Sequence, residues 1–283
     1  MPSLETPSET VETAGATEAS IDGAPAPTKK AGAAVFVRLS EGANARMPGR
    51  GAAADSKLGV ARRDRILLAL AFAAGCVDAL SYLGLSRVFT ANMTGNAVLL
   101  GLAIGQTQEL QVAHSSSAIV GFVLGVVVAA KLVGPPRDRV VWSRGITRAL
   151  CVEFAVLVVF AFAWWLSLPR FAGGLLIGLI VLSGLAMGIQ SAVARRLAVP
   201  GVSTTFITGT ITALVAELTT VSGAAGERRR MSMVIGALVA GAVTGGVAQA
   251  YARPAAAFVP VLVVAAVLVA VGGLRRATGG EQG

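Results

Sequence analysis

Between Ile66 and residue 274 the chain runs through six apolar stretches, at 66–85, 114–134, 147–168, 172–194, 232–252 and 255–274. Each is close to the roughly 20 helical residues needed to cross about 30 Å of hydrocarbon. With 54% hydrophobic and only 14% charged residues, the expected fold class is an all-α polytopic membrane protein. Two weaker apolar segments, 88–106 and 202–221, lie between spans and contain related phrases, "VFTANMTGN" at 88–96 and "VSTTFITGT" at 202–210.

Residues 1–62 hold no apolar run and little to bury, so they are expected to form a disordered tail. They also lack the charged-then-apolar pattern of a signal peptide, so the first span is expected to insert and remain. Residues 63–276 form the expected transmembrane domain, and 277–283 a short C-terminal tail. Cys76 and Cys151 fall inside apolar runs without metal-ligand spacing and read as packing residues. No metal and no cofactor is expected.

Basic residues set the orientation. They crowd the approach to the first span (Arg62, Arg63, Arg65), the 131–148 loop (Lys131, Arg137, Arg139, Arg144, Arg148), Arg195 with Arg196, Arg228 to Arg230, and Arg275 with Arg276. The positive-inside tendency puts all of these in the cytoplasm, with both termini, in a bacterial inner membrane. The net charge of +9 is explained in this way, and no nucleic-acid-binding motif accompanies it. The 88–106 segment must then begin and end outside, and 202–221 must begin and end inside. Both are expected to be re-entrant half-helices. The halves 66–168 and 172–274 share the order span, dipping segment, span, span, which makes them two inverted-topology repeats.

Backbone that leaves helical geometry inside a membrane must be satisfied by protein or by a wet cavity. In the first phrase an extended stretch to Thr94 is expected to lead into a helix from Gly95 to Gly105, capped by Asn92 or Thr94. Two such helix ends meeting near the midplane suit an anion or a solute offering lone pairs. The structural alternative is that Gly95, Gly101 and Gly105 only permit close helix packing.

Asp78, near the middle of the first span, is costly there and is expected to face inward. Its functional reading is a group that takes and releases a proton, and its structural one a hydrogen bond to Ser81, Tyr82 or a neighbouring helix. Gln190 is its expected counterpart in the second half. Glu153 is expected to pair with Arg144 or Arg148, and Glu217 either lines the pathway or pairs with a nearby arginine. His114 is expected to be solvated at a span end, with Trp142, Trp164 and Trp165 as interfacial anchors. No catalytic or nucleotide-binding arrangement is present, so the chain is not expected to be an enzyme or an ATP-driven pump.

The stretch "GCVDALSYLGLSRVFTANMTGNAVLLGLAIG" at 75–105 resembles the YoaK-like family of bacterial inner-membrane proteins, also described as domain of unknown function 1275. Gly75, Asp78, Ala79, Phe89, Asn92, Met93, Thr94, Gly95 and Asn96 carry the first motif, and Gln190, Thr205, Thr208 and Gly209 the second. The resemblance runs from about residue 64 to 275. It implies a polytopic inner-membrane protein and no substrate. The expected function is a channel or secondary transporter of a small solute, anionic among the options. Asp78, Asn92, Thr94, Gly95, Asn96, Gln190, Thr205, Thr208 and Gly209 are the expected substrate-binding residues. The competing expectation is a membrane binding or scaffold protein. Partners are then the lipid bilayer, the solute and, as an open option, further copies of the chain, with no nucleic acid.

Overall fold

The structure, a computed structural model, describes residues 50–134, 142–168, 173–197, 211, 212, 214, 215 and 225–279. Its helices are α1 (Arg50–Gly84), α2 (Met93–Gly105), α3 (Glu109–Val133), α4 (Arg144–Leu166), α5 (Gly173–Leu197), α6 (Ala225–Tyr251), α7 (Arg253–Ala256) and α8 (Phe258–Gly279). The described residues from position 54 onward belong to one compact unit. Among the described residues six helices are long and apolar enough to cross a membrane: Ala61–Gly84, Glu109–Val133, Arg144–Leu166, Gly173–Leu197, Arg228–Tyr251 and Arg253–Val271. They correspond one to one to the six expected stretches.

Two boundaries differ from expectation. α1 begins at Arg50, inside the segment expected to be disordered. The residues before Ile66 include Ala, Lys, Leu and Arg, and extending an existing membrane helix avoids the cost of nucleating a new one. At the other end α8 continues to Gly279, past the expected boundary at 276. The last span is also interrupted, because the short α7, with Pro254 in its first turn, precedes α8. Pro260 is accommodated in the first turn of α8, where a missing amide costs little.

The packing is that of a protein whose outside is apolar. α1 and α5 are the most buried spans, and α3 and α6 the least. The exposed faces of the outer pair carry Val120, Val123, Leu124 and Val127 on α3, and Val239, Val243 and Val247 on α6. Small residues bring the backbones close at two crossings. A Cβ on Gly75 of α1 would strike the Leu238 carbonyl of α6, and one on Gly241 the Phe72 carbonyl. At the second crossing, Gly121 and Gly125 of α3 face the carbonyls of Val181 and Leu185 on α5, while Gly188 of α5 faces that of Phe122. No side chain fits at either seam, so interhelical van der Waals contact is made by the backbone itself.

α4 lays a helical stripe of Ile146, Leu150, Glu153, Leu157, Phe160 and Trp164 into the interior. Trp164 is therefore a core residue at 0% exposure and no interfacial anchor; its indole donates to the Arg253 carbonyl at 2.9 Å. Trp165, one position round the helix, is 51% exposed and fits the anchor expectation. At the ends, Arg230 of α6 pairs with Asp64 of α1 at 2.9 Å, and Arg196 of α5 donates to the Gly134 carbonyl beyond α3.

Candidate functional site

The site begins where α1 stops. After Gly84 the chain turns through Ser86 and Arg87, both left-handed at φ 61° and 60°, a conformation uncommon for non-glycine residues. Leu85 and Val88, both fully buried, fasten the two sides of this turn to the core. The backbone then runs back beside α1. Thr90 and Ala91 each donate a backbone N–H to Asp78 Oδ1 at 2.7 Å, and the Thr90 hydroxyl donates to the same oxygen at 3.3 Å. Asp78 lies six residues before the end of α1, so the loop returns about 9 Å along the helix at 1.5 Å per residue.

α2 starts from this anchorage. Asn92 is its cap, its Oδ1 accepting from the Gly95 N–H at 3.2 Å. The helix begins at Met93, two residues earlier than expected, because the Asn92 cap already organises the first turn. Asn96 is fully buried, and its amide pairs with Phe89 as a second backbone strand would. The Phe89 N–H donates to Asn96 Oδ1 at 2.9 Å, and Asn96 Nδ2 donates to the Phe89 carbonyl. Gly95 sits in the tight space between, where a Cβ would lie 2.9 Å from Asn92 Nδ2 and 3.0 Å from the Phe89 ring. The phrase "NMTGN" thus divides into a cap, a space and a backbone clamp.

Above this loop lies a pocket of about 870 Å³ between α1, the loop, α2 and α6. Asp78, Asn92, Thr94 and Gly95 line it, with Tyr82 and Phe89 on one side and Leu238, Ala242 and Gly246 of α6 on another. Tyr82 and Phe89 stack with ring centroids 5.0 Å apart. Four of the expected residues therefore meet in one pocket. Asn96 lies beneath, as a structural clamp. Gln190 is elsewhere: on α5 it is fully buried and donates from Nε2 to the Leu70 carbonyl of α1 at 2.8 Å. Thr205, Thr208, Gly209 and Glu217 lie outside the described residues.

Other expectations are corrected. Glu153 does not pair with Arg144 or Arg148; it is fully buried, and both carboxylate oxygens are unpartnered among the described residues. Its place in the α4 stripe turns it away from the exposed arginines. His114 is buried at 9% exposure rather than solvated, and its Nδ1 has no partner among the described residues. Tyr82 and Phe89 enter the pocket without a signal in the sequence, since their spacing across the turn carries no periodicity that would pair them. Among the described residues no group of three or more His, Cys, Asp or Glu side chains could hold a metal ion.

Residues 66–271 match the family described as "Protein of unknown function (DUF1275)". The chain belongs to this family. A relative, "UPF0700 transmembrane protein YoaK" of Bacillus subtilis (strain 168), is 42% identical over 158 residues, covering 56% of this chain and 68% of that protein. The DUF1275 match includes α2 and the whole of the Asp78 pocket. No solved structure matches the chain.

Proposed function

We propose that this DUF1275 protein is a channel or secondary transporter of a small solute, built as two inverted repeats, with the Asp78 pocket as one half of its pathway. The observation that carries this reading is the pocket itself, which is lined by Asp78 and by the capped start of a helix too short to span. α2 has 13 residues, about 20 Å at 1.5 Å per residue, against about 30 Å of hydrocarbon. Together with the loop that runs back along α1, this supports a re-entrant segment.

The inversion has independent support. The buried share of each span runs 61, 22 and 39% through the first three and 67, 22 and 39% through the last three. A two-fold exchange of the halves also maps the α1–α6 glycine crossing onto the α5–α3 crossing. Three spans per half then make the halves opposite in orientation. Placing Arg62, Arg63, Arg195, Arg196 and Arg228 to Arg230 in the cytoplasm of an inner membrane completes the topology.

The pocket's chemistry favours a neutral or cationic solute over an anion. The amides that would greet an anion at Thr90 and Ala91 already bond to the chain's own carboxylate, Asp78. A second anion would meet that charge at close range. The rival reading, a membrane scaffold, draws on the same bonds, since Asp78, Asn92 and Asn96 all bond within the chain.

Thiol accessibility separates the two readings. Thr94 is exposed and lines the pocket, so a membrane-impermeant maleimide should modify Thr94→Cys in intact cells. It should modify Thr208→Cys only in inverted vesicles. Protection of both positions from both sides would leave the scaffold reading standing. A solute-uptake comparison of deletion and complemented strains then identifies what is carried.

A further inference from the structure

Apart from the pocket, the interior holds a second polar level. Glu153 lies nine residues past Arg144 on α4, about 14 Å along the helix. Gln190 lies seven residues before the end of α5 at Leu197, about 11 Å along it. Ile146 and Leu150 of α4 share one apolar cluster with Leu70 of α1 and with Ile189 and Val193 of α5, so those ends are packed together. The next residues inward, Leu157 of α4 and Met187 of α5, belong to the other cluster. Glu153 and Gln190 thus fall at the same level, where one cluster gives way to the other.

Both side chains are at 0% exposure, and among the described residues three of their atoms have no partner: Glu153 Oε1 and Oε2, and Gln190 Oε1. All three are acceptors. The missing partner is therefore electropositive. It is not a basic side chain of the described residues. Arg144, Arg148, Lys131 and Arg195 are exposed, and Arg196 is held at the Gly134 carbonyl. Residues 258–271 of α8 carry no charged group. His114 lies in the second turn of α3 and Arg253 in the first of α7, Arg62 and Arg65 are exposed, Arg63 lies 3.8 Å from Asp64, Asp64 pairs with Arg230, and Asp78 is bonded by the loop that returns along α1. A hard metal cation would need six or so oxygen ligands, which the leucines, isoleucines and alanines of these clusters do not supply. An unpartnered carboxylate at such a place is strongly disfavoured. A proton needs one oxygen only.

We propose that Glu153 is a proton-binding site in the membrane core, with the free Gln190 Oε1 at the same level as acceptor for its O–H. An O–H bond forms on one carboxylate oxygen with a proton drawn from water, the local charge goes from minus one to zero, and no electron moves. The site is separate from the Asp78 pocket and does not depend on which solute, if any, that pocket takes.

The test uses the full-length protein in lipid vesicles. Dicyclohexylcarbodiimide reacts with a protonated carboxyl in apolar surroundings, the O–H adding across its N=C bond before rearrangement to a stable N-acylurea that peptide mass spectrometry locates. The expected result is an adduct on Glu153 whose yield falls about tenfold per pH unit once the carboxyl titrates, and which is absent from Glu153→Gln. Infrared spectroscopy provides a reading that needs no reagent access: the unaltered protein should show a protonated-carboxyl C=O band that shifts in D₂O and disappears in Glu153→Gln. If that band is missing at every pH, or if it survives in Glu153→Gln and no adduct forms on Glu153, the proposal fails. A band and adduct yield that stay constant from acidic to alkaline buffer would also overturn it, since a proton that never leaves makes no binding site. Neither reading involves solute, so loss of the transport reading would leave this result intact.

Discussion

Asn96 and Asp78 both bond chiefly to backbone that has left helical geometry. Asn96 clamps both polar groups of Phe89, and replacing it by alanine would strand a buried donor and a buried acceptor. At roughly 1–3 kcal/mol for each group left unpaired, Asn96→Ala should destabilise the protein by about 2–6 kcal/mol, read as a lower unfolding temperature in detergent. Asp78 accepts three hydrogen bonds at Oδ1. Asparagine keeps an acceptor at that position and leucine does not, so Asp78→Asn should cost about 1 kcal/mol and Asp78→Leu about 3 kcal/mol or more. Equal losses for the two substitutions would show that the loop is held by something other than the acceptor. The Asp78 result also bears on what was legible in the sequence. A carboxylate in mid-span announced its importance, but its partners are backbone amides twelve and thirteen residues away, for which side-chain identity gives no signal.

Elements are separated in this protein by how much room their glycines have. Gly75, Gly188 and Gly241 leave no space for a Cβ, because each faces a backbone carbonyl of the helix it crosses, whereas Gly101 and Gly105 of α2 have nothing within 4 Å. Overpacking typically costs about 1–3 kcal/mol and more where backbone must move, so Gly75→Val and Gly188→Val should sharply reduce the yield of monodisperse protein on size-exclusion chromatography. Gly101→Ala and Gly105→Ala should leave the yield unchanged, or raise stability by up to about 1 kcal/mol through helix propensity. A sequence reading treats all five glycines alike, since small residues suit close packing wherever they occur. The crossings also revise an expected equivalence. If Gly75 and Gly188 occupy corresponding positions, the residue three places on from each is Asp78 in one half and Ser191 in the other. Gln190, the expected counterpart, instead points across to Leu70 of α1. The expected pairing of Glu153 fails for a related reason: its distance from the span end places it near the basic loop, but depth along a helix does not say which face a residue occupies.

At the scale of the whole molecule, hydropathy was sufficient to locate all six spans, because crossing a membrane imposes a length and a composition on each. It could not decide how the two weak segments behave, since their composition is compatible with either crossing or dipping. The side on which the 131–148 loop lies is what distinguishes these alternatives. If only six segments cross, the chain between α3 and α4 lies on the same side as the start of α1, and the chain between α4 and α5 lies opposite. If 88–106 crossed as well, the first of these loops would be carried outside with its five basic residues, against the positive-inside tendency. Single cysteines at Gly134 and Leu168 test this directly, in a background where Cys151, exposed on α4, is replaced by alanine; Cys76 is buried. Leu168→Cys should react with an impermeant maleimide in intact cells, and Gly134→Cys only in inverted vesicles. Reaction of Gly134→Cys in intact cells would mean that 88–106 crosses completely. α2 would then have to span with 13 residues, roughly 20 Å of helix, and the bonds from Thr90 and Ala91 to Asp78 would have to break.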